Sequence, residues 1–273
     1  MELTGKIAVI TGGGSGIGRA AALKLADEEV KAIAIVDQID NMETVCDELN
    51  ATIGREVAIP FRGDVVDSSF RDRVFTEMEN RFGTVTLCIP AAGITRDRLS
   101  VKLVQNNGCQ STSIYPEEDF RRVIDVDLVA PIYWALRCVA SVAADRGRRG
   151  FKQWVPEESM QGAIVFIGSV SAAGNRGQIS YATAKSGLEG AQATLNKEAI
   201  YYGVRCAIIH PGYTDTPMVR AMGERLIEEH ILPNTQLRRL IRPDEIAGAI
   251  VFILKNSAIS GSLWADAGWH PRA

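Results

Sequence analysis

Histidine is scarce in this chain. Only three occur among 273 residues, His210, His230 and His270, and they stand so far apart that a metal site would have to gather them from distant segments. Cysteine is thinly spread as well. The five, at 46, 88, 109, 138 and 206, are odd in number and form no C-x-x-C pair. That speaks against a disulfide framework or a zinc site, and the expectation is mostly buried thiols in a reducing compartment. No apolar run approaches the roughly 18 residues that a membrane-spanning helix needs. The opening MELTGKIAVITGGG has neither the basic start nor the long apolar core of a secretory signal, so a cytoplasmic location is expected. A strong excess of either charge is also missing. The net charge of −3 gives no reason to expect a nucleic acid or an anionic membrane as partner. What remains, 46% apolar and 23% charged residues, is ordinary globular composition with enough chain for a substantial core.

Short β-branched runs recur along the chain: KIAVI (6–10), AIAIV (32–36), VAIPF (57–61), VTLCI (85–89), AIVFI (163–167), RCAIIH (205–210) and a weaker GSLWAD (261–266). Amphipathic stretches at 16–28, 40–53, 67–81, 117–143, 180–202 and 243–255 lie between them. Near-continuous apolar strands separated by helices predict a parallel sheet covered on both faces. Their alternation from end to end predicts one α/β domain over 1–273, doubly wound and Rossmann-type, with a mostly parallel seven-stranded sheet. Two segments read as surface insertions. Residues 96–116 are polar and irregular, and residues 145–161 place Arg146, Arg148 and Arg149 in what reads as a solvated loop.

The first strand runs into TGGGSGIGRAAALKLA. Gly12, Gly13, Gly14, Gly16 and Gly18 leave no side chain to block a pyrophosphate. A helix beginning near Ser15 and Ile17 offers free N–H groups and the positive end of its dipole. A glycine cluster alone is weak evidence, but this one has a strand before it and a helix after it, which predicts a dinucleotide site. Asp37 ends the second strand. A carboxylate there accepts hydrogen bonds from the adenosine ribose hydroxyls and repels a 2′-phosphate. With Gln38 and Ile39 next in the chain and Ser15 in the loop, NAD(H) is expected over NADP(H). Asp64, which ends the third strand before Val65, either binds the adenine edge or caps the next helix.

In SYATAKSGLEG (180–190), Tyr181 and Lys185 stand four apart, which on a helix puts both on one face. Taken alone, the pair reads as an exposed tyrosine and a solvated lysine. The wider pattern changes that. TGGGSGIG, AAGITRDRL (91–99), VIDVDL (123–128), YATAK (181–185), HPGYTDTPM (210–218) and RPDEIAGAIVFIL (242–254) occur in the order of the short-chain dehydrogenase/reductase family, which the whole chain resembles. AGITRDRL, RPDEIA and the ending ADAGW are most similar to 3-oxoacyl-[acyl-carrier-protein] reductases and related hydroxyacyl or alcohol dehydrogenases.

The resemblance implies that Tyr181 is the general acid/base. A free phenol, with a pKa of about 10, needs a neighbouring ammonium and a positive nicotinamide ring to become more acidic. Lys185 is spaced to supply the first, and by resemblance it also grips the nicotinamide ribose. Ser169, 12 residues before Tyr181, matches the serine that holds the substrate oxygen. The family spacing is one residue longer, so Ser171 is the alternative. Pro211 and Gly212 turn the chain, and Thr214 and Thr216 reach the cofactor. Residues 213–241 form a substrate lid, with Met218, Met222 and Leu226 as an apolar lining or an ordinary helix face.

Two departures stand out. The family's Asn-Asn-Ala-Gly is here Pro90-Ala91-Ala92-Gly93. Two amides and one N–H are lost, while backbone contact from Ala91, Ala92 and Gly93 to the cofactor is kept. The family's catalytic-tetrad asparagine falls at Asp127, which either forms an ion pair with Lys185 or caps a helix. The resulting expectation is an NAD(H)-dependent oxidoreductase acting on a secondary alcohol or ketone of the 3-oxoacyl, steroid or small-alcohol class, without a metal. A dinucleotide-binding sensor or scaffold with little catalysis is the alternative. By resemblance the chain assembles as a homotetramer or homodimer through the helices at 117–143 and 180–202.

Overall fold

A computed structural model describes residues 1–106 and 109–269. Seven strands form one sheet: β1 (Ile7–Thr11), β2 (Ala32–Asp37), β3 (Ala58–Arg62), β4 (Leu87–Pro90), β7 (Gly162–Ile167), β8 (Val204–Pro211) and β9 (Ser262–Ala265). Their order is β3-β2-β1-β4-β7-β8-β9, and every pairing is parallel. β1 and β8 are buried at every residue. Such strands alternate nothing, because helices cover both of their faces.

One face carries α1 (Gly16–Asp27), α2 (Met42–Ile53) and α9 (Pro243–Lys255), with Leu25, Leu49 and Ile250 packed on Ile10, Ile33 and Val165. The other carries α3 (Ser68–Phe82), α5 (Ala130–Arg148) and α6 (Ile179–Ala199), with Phe75, Trp134 and Leu188 packed on Val9, Ala34 and Phe166. The chain runs outward from β1 in one direction through β2 and β3 and in the other through β4. The carboxyl ends of β1 and β4 therefore flank the crevice where the winding reverses, which is where such sheets place a ligand. Trp134, fully buried, donates its indole N–H to the Val65 carbonyl (2.9 Å) and so anchors the loop after β3 from below.

α4 (Glu117–Ile124) meets α5 through a π turn at Asp125–Val129, so the helix expected over 117–143 is interrupted and also runs on to Arg148. After β8 come two short helices, α7 (Pro217–Arg220) and α8 (Glu224–Leu226). Around them Ile227, Ile231 and Leu240 make a small core with Tyr213, Met222 and Trp269.

Two expectations need correction. Residues 96–116 are not irregular, for β5 (Val101–Asn106) and β6 (Cys109–Ile114) pair as an antiparallel hairpin. Both faces of the hairpin meet solvent, and its second strand is rich in Ser and Thr, so the apolar signal of a strand is missing while the β-branched propensity remains. Nor is Arg146 solvated. It is 1% exposed, makes a two-armed ion pair with Glu158 and stacks on Phe151. The 149–161 loop folds back over the end of α5 to supply that partner, whereas Arg148 and Arg149 stay exposed beside Asp145.

Cys46, Cys88, Cys138 and Cys206 are buried free thiols. The side chain of Cys109 and the whole of His270 lie outside the described residues. Among those residues, no cluster of three or more His, Cys, Asp or Glu could hold a metal, and no helix is long and apolar enough to cross a membrane.

Candidate active site

The glycine turn after β1 is shaped by two close approaches. Gly12 sits at φ +65°, and a Cβ there would lie 2.7 Å from the Ala92 backbone. A Cβ on Gly18 would lie 2.3 Å from the Gly12 carbonyl oxygen. Ser15 stands at the N-cap of α1 with no side-chain bond to the helix N–H groups, which leaves those donors facing the crevice. The Gly14 N–H donates to Asp37 Oδ2 (3.0 Å) and the Gln38 N–H to Oδ1 (2.8 Å). The carboxylate is thereby held at the crevice wall while Gly14 sits behind it.

The loop that lost its two amides has other support. Thr11 O accepts the Ala91 N–H (3.1 Å) and Thr11 Oγ1 the Ala92 N–H (3.2 Å). Asp64 accepts the Val66 N–H (3.1 Å) and pairs with Arg122 (2.9 Å). Burial pushes its carboxyl up, but these two donors outweigh it and hold the pKa below the usual value. Asp64 does not cap the next helix. Asp67 does, accepting from the N–H groups of Ser69 and Phe70. Arg122, which the sequence reading passed over, lines the same crevice.

The crevice is a cavity of about 250 Å³. Of the residues expected to bind a cofactor, Gly12, Ser15, Gly16, Ile17, Asp37, Asp64, Val65, Ala91, Ala92, Gly93, Tyr181, Lys185 and Thr216 line it. Pro211, Gly212 and Thr214 line a second cavity of about 110 Å³ instead, together with Ser169. Thr214 Oγ1 donates to Gly212 O (3.1 Å) and Thr216 Oγ1 caps α7. Tyr181, Ile17, Ile167, Thr216 and Met218 border both cavities, so the two spaces meet at the phenol.

Tyr181 and Lys185 do share one face of α6, with the ammonium 5.3 Å from the ring centroid. Lys185 is buried and Tyr181 half-buried, so neither is the exposed side chain that the pair alone suggests. Lys185 Nζ donates to Ile167 O (3.1 Å) and lies 3.3 Å from Asp127 Oδ2. Burial works against the ammonium, but the Asp127 carboxylate and Tyr181 outweigh it and hold Lys185 charged. Asp127 caps no helix. The π turn aims it inward, where it is fully buried and Oδ1 accepts the Ile94 N–H (2.9 Å). A Cβ on Gly93 would lie 2.8 Å from Asp127 Oδ2, so the carboxylate depends on the glycine beside it.

The Tyr181 phenol is pushed above its ordinary value, by burial first. Lys185 and a hydrogen bond with Ser169 pull it down, while Asp127 and Asp97 push it up. The ammonium therefore acts in the expected direction without winning alone. Ser169, at the N-cap of a short 3-10 turn, accepts the Ser171 N–H (3.1 Å). Ser171 instead donates to Gln178 Oε1 (2.8 Å), so its hydroxyl is engaged in the wall behind.

That wall is a polar row the sequence reading missed. Asn175 Nδ2 donates to Tyr213 Oη (3.3 Å) and to Gln178 Oε1 (3.0 Å), and Gln178 Nε2 donates to Asp97 Oδ2 (2.8 Å). Gln178 lies one turn before Tyr181, which is a signal that could have found it. Asp97 lay in a segment read as surface. In the expected lid, Met218 and Met222 do line the second cavity, joined by Val219. Leu226 is exposed and does not.

A family model described as short chain dehydrogenase matches residues 6–226. The chain belongs to that family. Among relatives of this short chain dehydrogenase, the 3-oxoacyl-[acyl-carrier-protein] reductase FabG of Thermotoga maritima is 29% identical over 94% of each chain. The short-chain reductase protein NovJ of Streptomyces niveus is 31% identical over 91% of this chain and 87% of its own. Among solved structures, the NADPH-dependent 3-quinuclidinone reductase of Rhodotorula rubra superposes with a TM-score of 0.80 at 24% identity, over 98% of this chain and 92% of that one, a likeness of fold.

Proposed function

We propose that this short chain dehydrogenase is an NAD(H)-dependent oxidoreductase that interconverts a secondary alcohol and a ketone. The observation that carries the reading is the meeting of the two cavities at Tyr181, with Ser169 on one side and Lys185 on the other. The glycine turn, where a Cβ on Gly12 or Gly18 would collide with neighbouring backbone, and the free N–H groups of α1 fit a dinucleotide. Asp37 at the crevice wall supports NAD over NADP.

When bound, the nicotinamide would supply or accept hydride. The remaining work falls to the protein's own side chains. Ser169 Oγ donates a hydrogen bond to the substrate oxygen and fixes its orientation. In ketone reduction Tyr181 gives that oxygen a proton, and in alcohol oxidation its phenolate removes one. Lys185, held charged by Asp127, stabilises the phenolate. Pro211, Gly212 and Thr214 shape the floor on which substrate and nicotinamide meet, and Thr216 holds the start of α7 beside them. The small second cavity, walled by Met218 and Met222, suits a compact or slender carbonyl substrate, consistent with the reductases of 3-oxoacyl chains among the relatives.

A sensor without turnover fits less well, since it gives no use to a serine and a buried ammonium arranged around one phenol. Exposed Val129, at the end of the π turn, and Tyr133 and Leu136 on α5 form one stripe, which supports assembly into a dimer or tetramer. The deciding experiment follows NADH oxidation against a panel of 3-oxoacyl thioesters, steroids and small ketones, for wild type and Tyr181→Phe. Turnover on at least one substrate that the variant loses supports the reading. Nicotinamide binding without turnover on any member of the panel overturns it.

A further inference from the structure

His210, the last-but-one residue of β8, has no part in the chemistry above, yet its ring lies against the backbone of Ser169. It is fully buried and clamped on both faces. Trp264, its cross-strand neighbour on β9, stacks on it at 4.3 Å and 15°. On the other side Gly168 leaves the space the ring occupies, for a Cβ there would lie 2.5 Å from His210 Nδ1. Nδ1 is 3.3 Å from Ser169 N and 3.2 Å from Ser169 O.

The bonding fixes the tautomer. Ser169 N–H can only donate and so needs an unprotonated Nδ1 (3.3 Å), while the group nearest Nε2, the Glu189 carboxylate, can only accept. Neutral His210 therefore accepts at Nδ1 and carries its proton on Nε2. Nε2 has no hydrogen-bond partner among the described residues, but Glu189 Oε1 lies 3.5 Å away. Protonation reverses the arrangement, because an Nδ1–H can only donate and its acceptor is Ser169 O at 3.2 Å. The Ser169 N–H would lose its acceptor inside the protein, at a cost typical of an unpaired buried amide.

We propose that His210 is a positioning residue for Ser169: its neutral ring anchors the serine's N–H, and protonation moves the bond to the serine's carbonyl, which frees that N–H, shifts Ser169 and lowers turnover. The proposal rests on the role given to Ser169 above. Two charged groups act on the ring, both from α6: Glu189, which favours imidazolium, and Lys185, which opposes it. From the segment just after β7 the ring meets the Gly168 and Ser169 peptides, and from β9 the Trp264 indole. Burial, with Lys185, pushes the imidazole below its usual value, against the pull of the Ser169 backbone and Glu189.

Trp264 reports the titration directly, since an imidazolium stacked on an indole quenches its emission. The fluorescence of wild type minus Trp264→Phe is titrated from pH 8 to pH 5 without cofactor. Hydrogen exchange of a peptide spanning 166–173 is followed over the same range, and so is kcat for acetoacetyl-CoA reduction with whichever of NADH or NADPH binds. The expectation is one shared transition below about pH 6.5, with protection lost and kcat reduced at least about fivefold on its acid side. His210→Asn, which keeps an acceptor near the Nδ1 place without titrating, abolishes the transition in all three. Glu189→Gln, at a partly exposed position that preserves the fold, moves all three to lower pH.

A fluorescence transition to which exchange and kcat are indifferent overturns the proposal. So does a kcat transition that stays fixed in Glu189→Gln while the fluorescence moves. Linked fluorescence and exchange with no turnover on any carbonyl substrate supports the anchor and overturns the dehydrogenase reading instead.

Discussion

Asp127 and Lys185 face each other at 3.3 Å with both side chains buried. A buried carboxylate beside a buried ammonium costs desolvation on both sides, and removing one partner strands the other. Here the pair also sits beside the phenol proposed to move the proton, so its charge balance sets when that phenol ionises.

Replacing Asp127 with Asn keeps an acceptor for the Ile94 N–H and removes the negative charge. Asp127 is one of the groups that push the Tyr181 phenol up, so its loss lets the phenol ionise at lower pH. The rise of kcat with pH in alcohol oxidation should move toward neutrality in Asp127→Asn. A pH–rate profile that does not move would show that the carboxylate is not felt at Tyr181. Asp127→Ala, which leaves the ammonium unpaired, should destabilise the fold by about 3–5 kcal/mol in urea denaturation.

Tyr181→Phe and Ser169→Ala should each lower kcat by roughly 100-fold or more while leaving dinucleotide affinity within a few-fold. Ser171→Ala should be far milder, since its hydroxyl is spent on Gln178. Steady-state kinetics and a binding titration on the three variants separate these outcomes.

NAD+ should raise the melting temperature more than NADP+ at equal concentration, because tighter binding to the folded state gives the larger shift. Asp37→Ser should narrow the gap by weakening NAD+ and admitting the 2′-phosphate. A larger shift with NADP+ in the wild type would refute the role given to Asp37.

Acid sensitivity can be placed on α9. Arg239 and the Arg242 N–H hold the Glu245 carboxylate at a pKa of about 2. A depressed carboxyl contributes stability that is fully present above its unfolded value of about 4.3 and fades as pH falls through about 2. Glu245→Gln should therefore be less stable than wild type at pH 6. The difference should shrink steadily below pH 4, as read by denaturant midpoints across that range.

The sheet was legible because its inner strands are buried on both faces and spell themselves out as β-branched runs. β1, β2 and β8 needed no knowledge of their neighbours. The cofactor crevice was legible for a related reason: Gly12, Gly18 and Asp37 act through local geometry close to one turn. What stayed hidden depends on partners brought from afar. The burial of Arg146 needs Glu158 from a returning loop, and the row from Tyr213 to Asp97 is assembled from three separate segments. The fit of His210 behind Ser169 exists only once β7 and β8 are side by side. The β5–β6 hairpin was missed for the opposite reason, since with water on both faces it has no apolar rhythm to read.

The widened turn at Asp125–Val129 holds one residue more than a regular helix would. Deleting a single position there would restore ordinary winding and rotate α4 by about 100° relative to α5. Asp127 could then no longer meet Lys185 while Leu128 kept its packing on Gly187. The irregularity works as a gear tooth that lets one stretch of backbone satisfy two neighbours whose spacing a perfect spiral could not match.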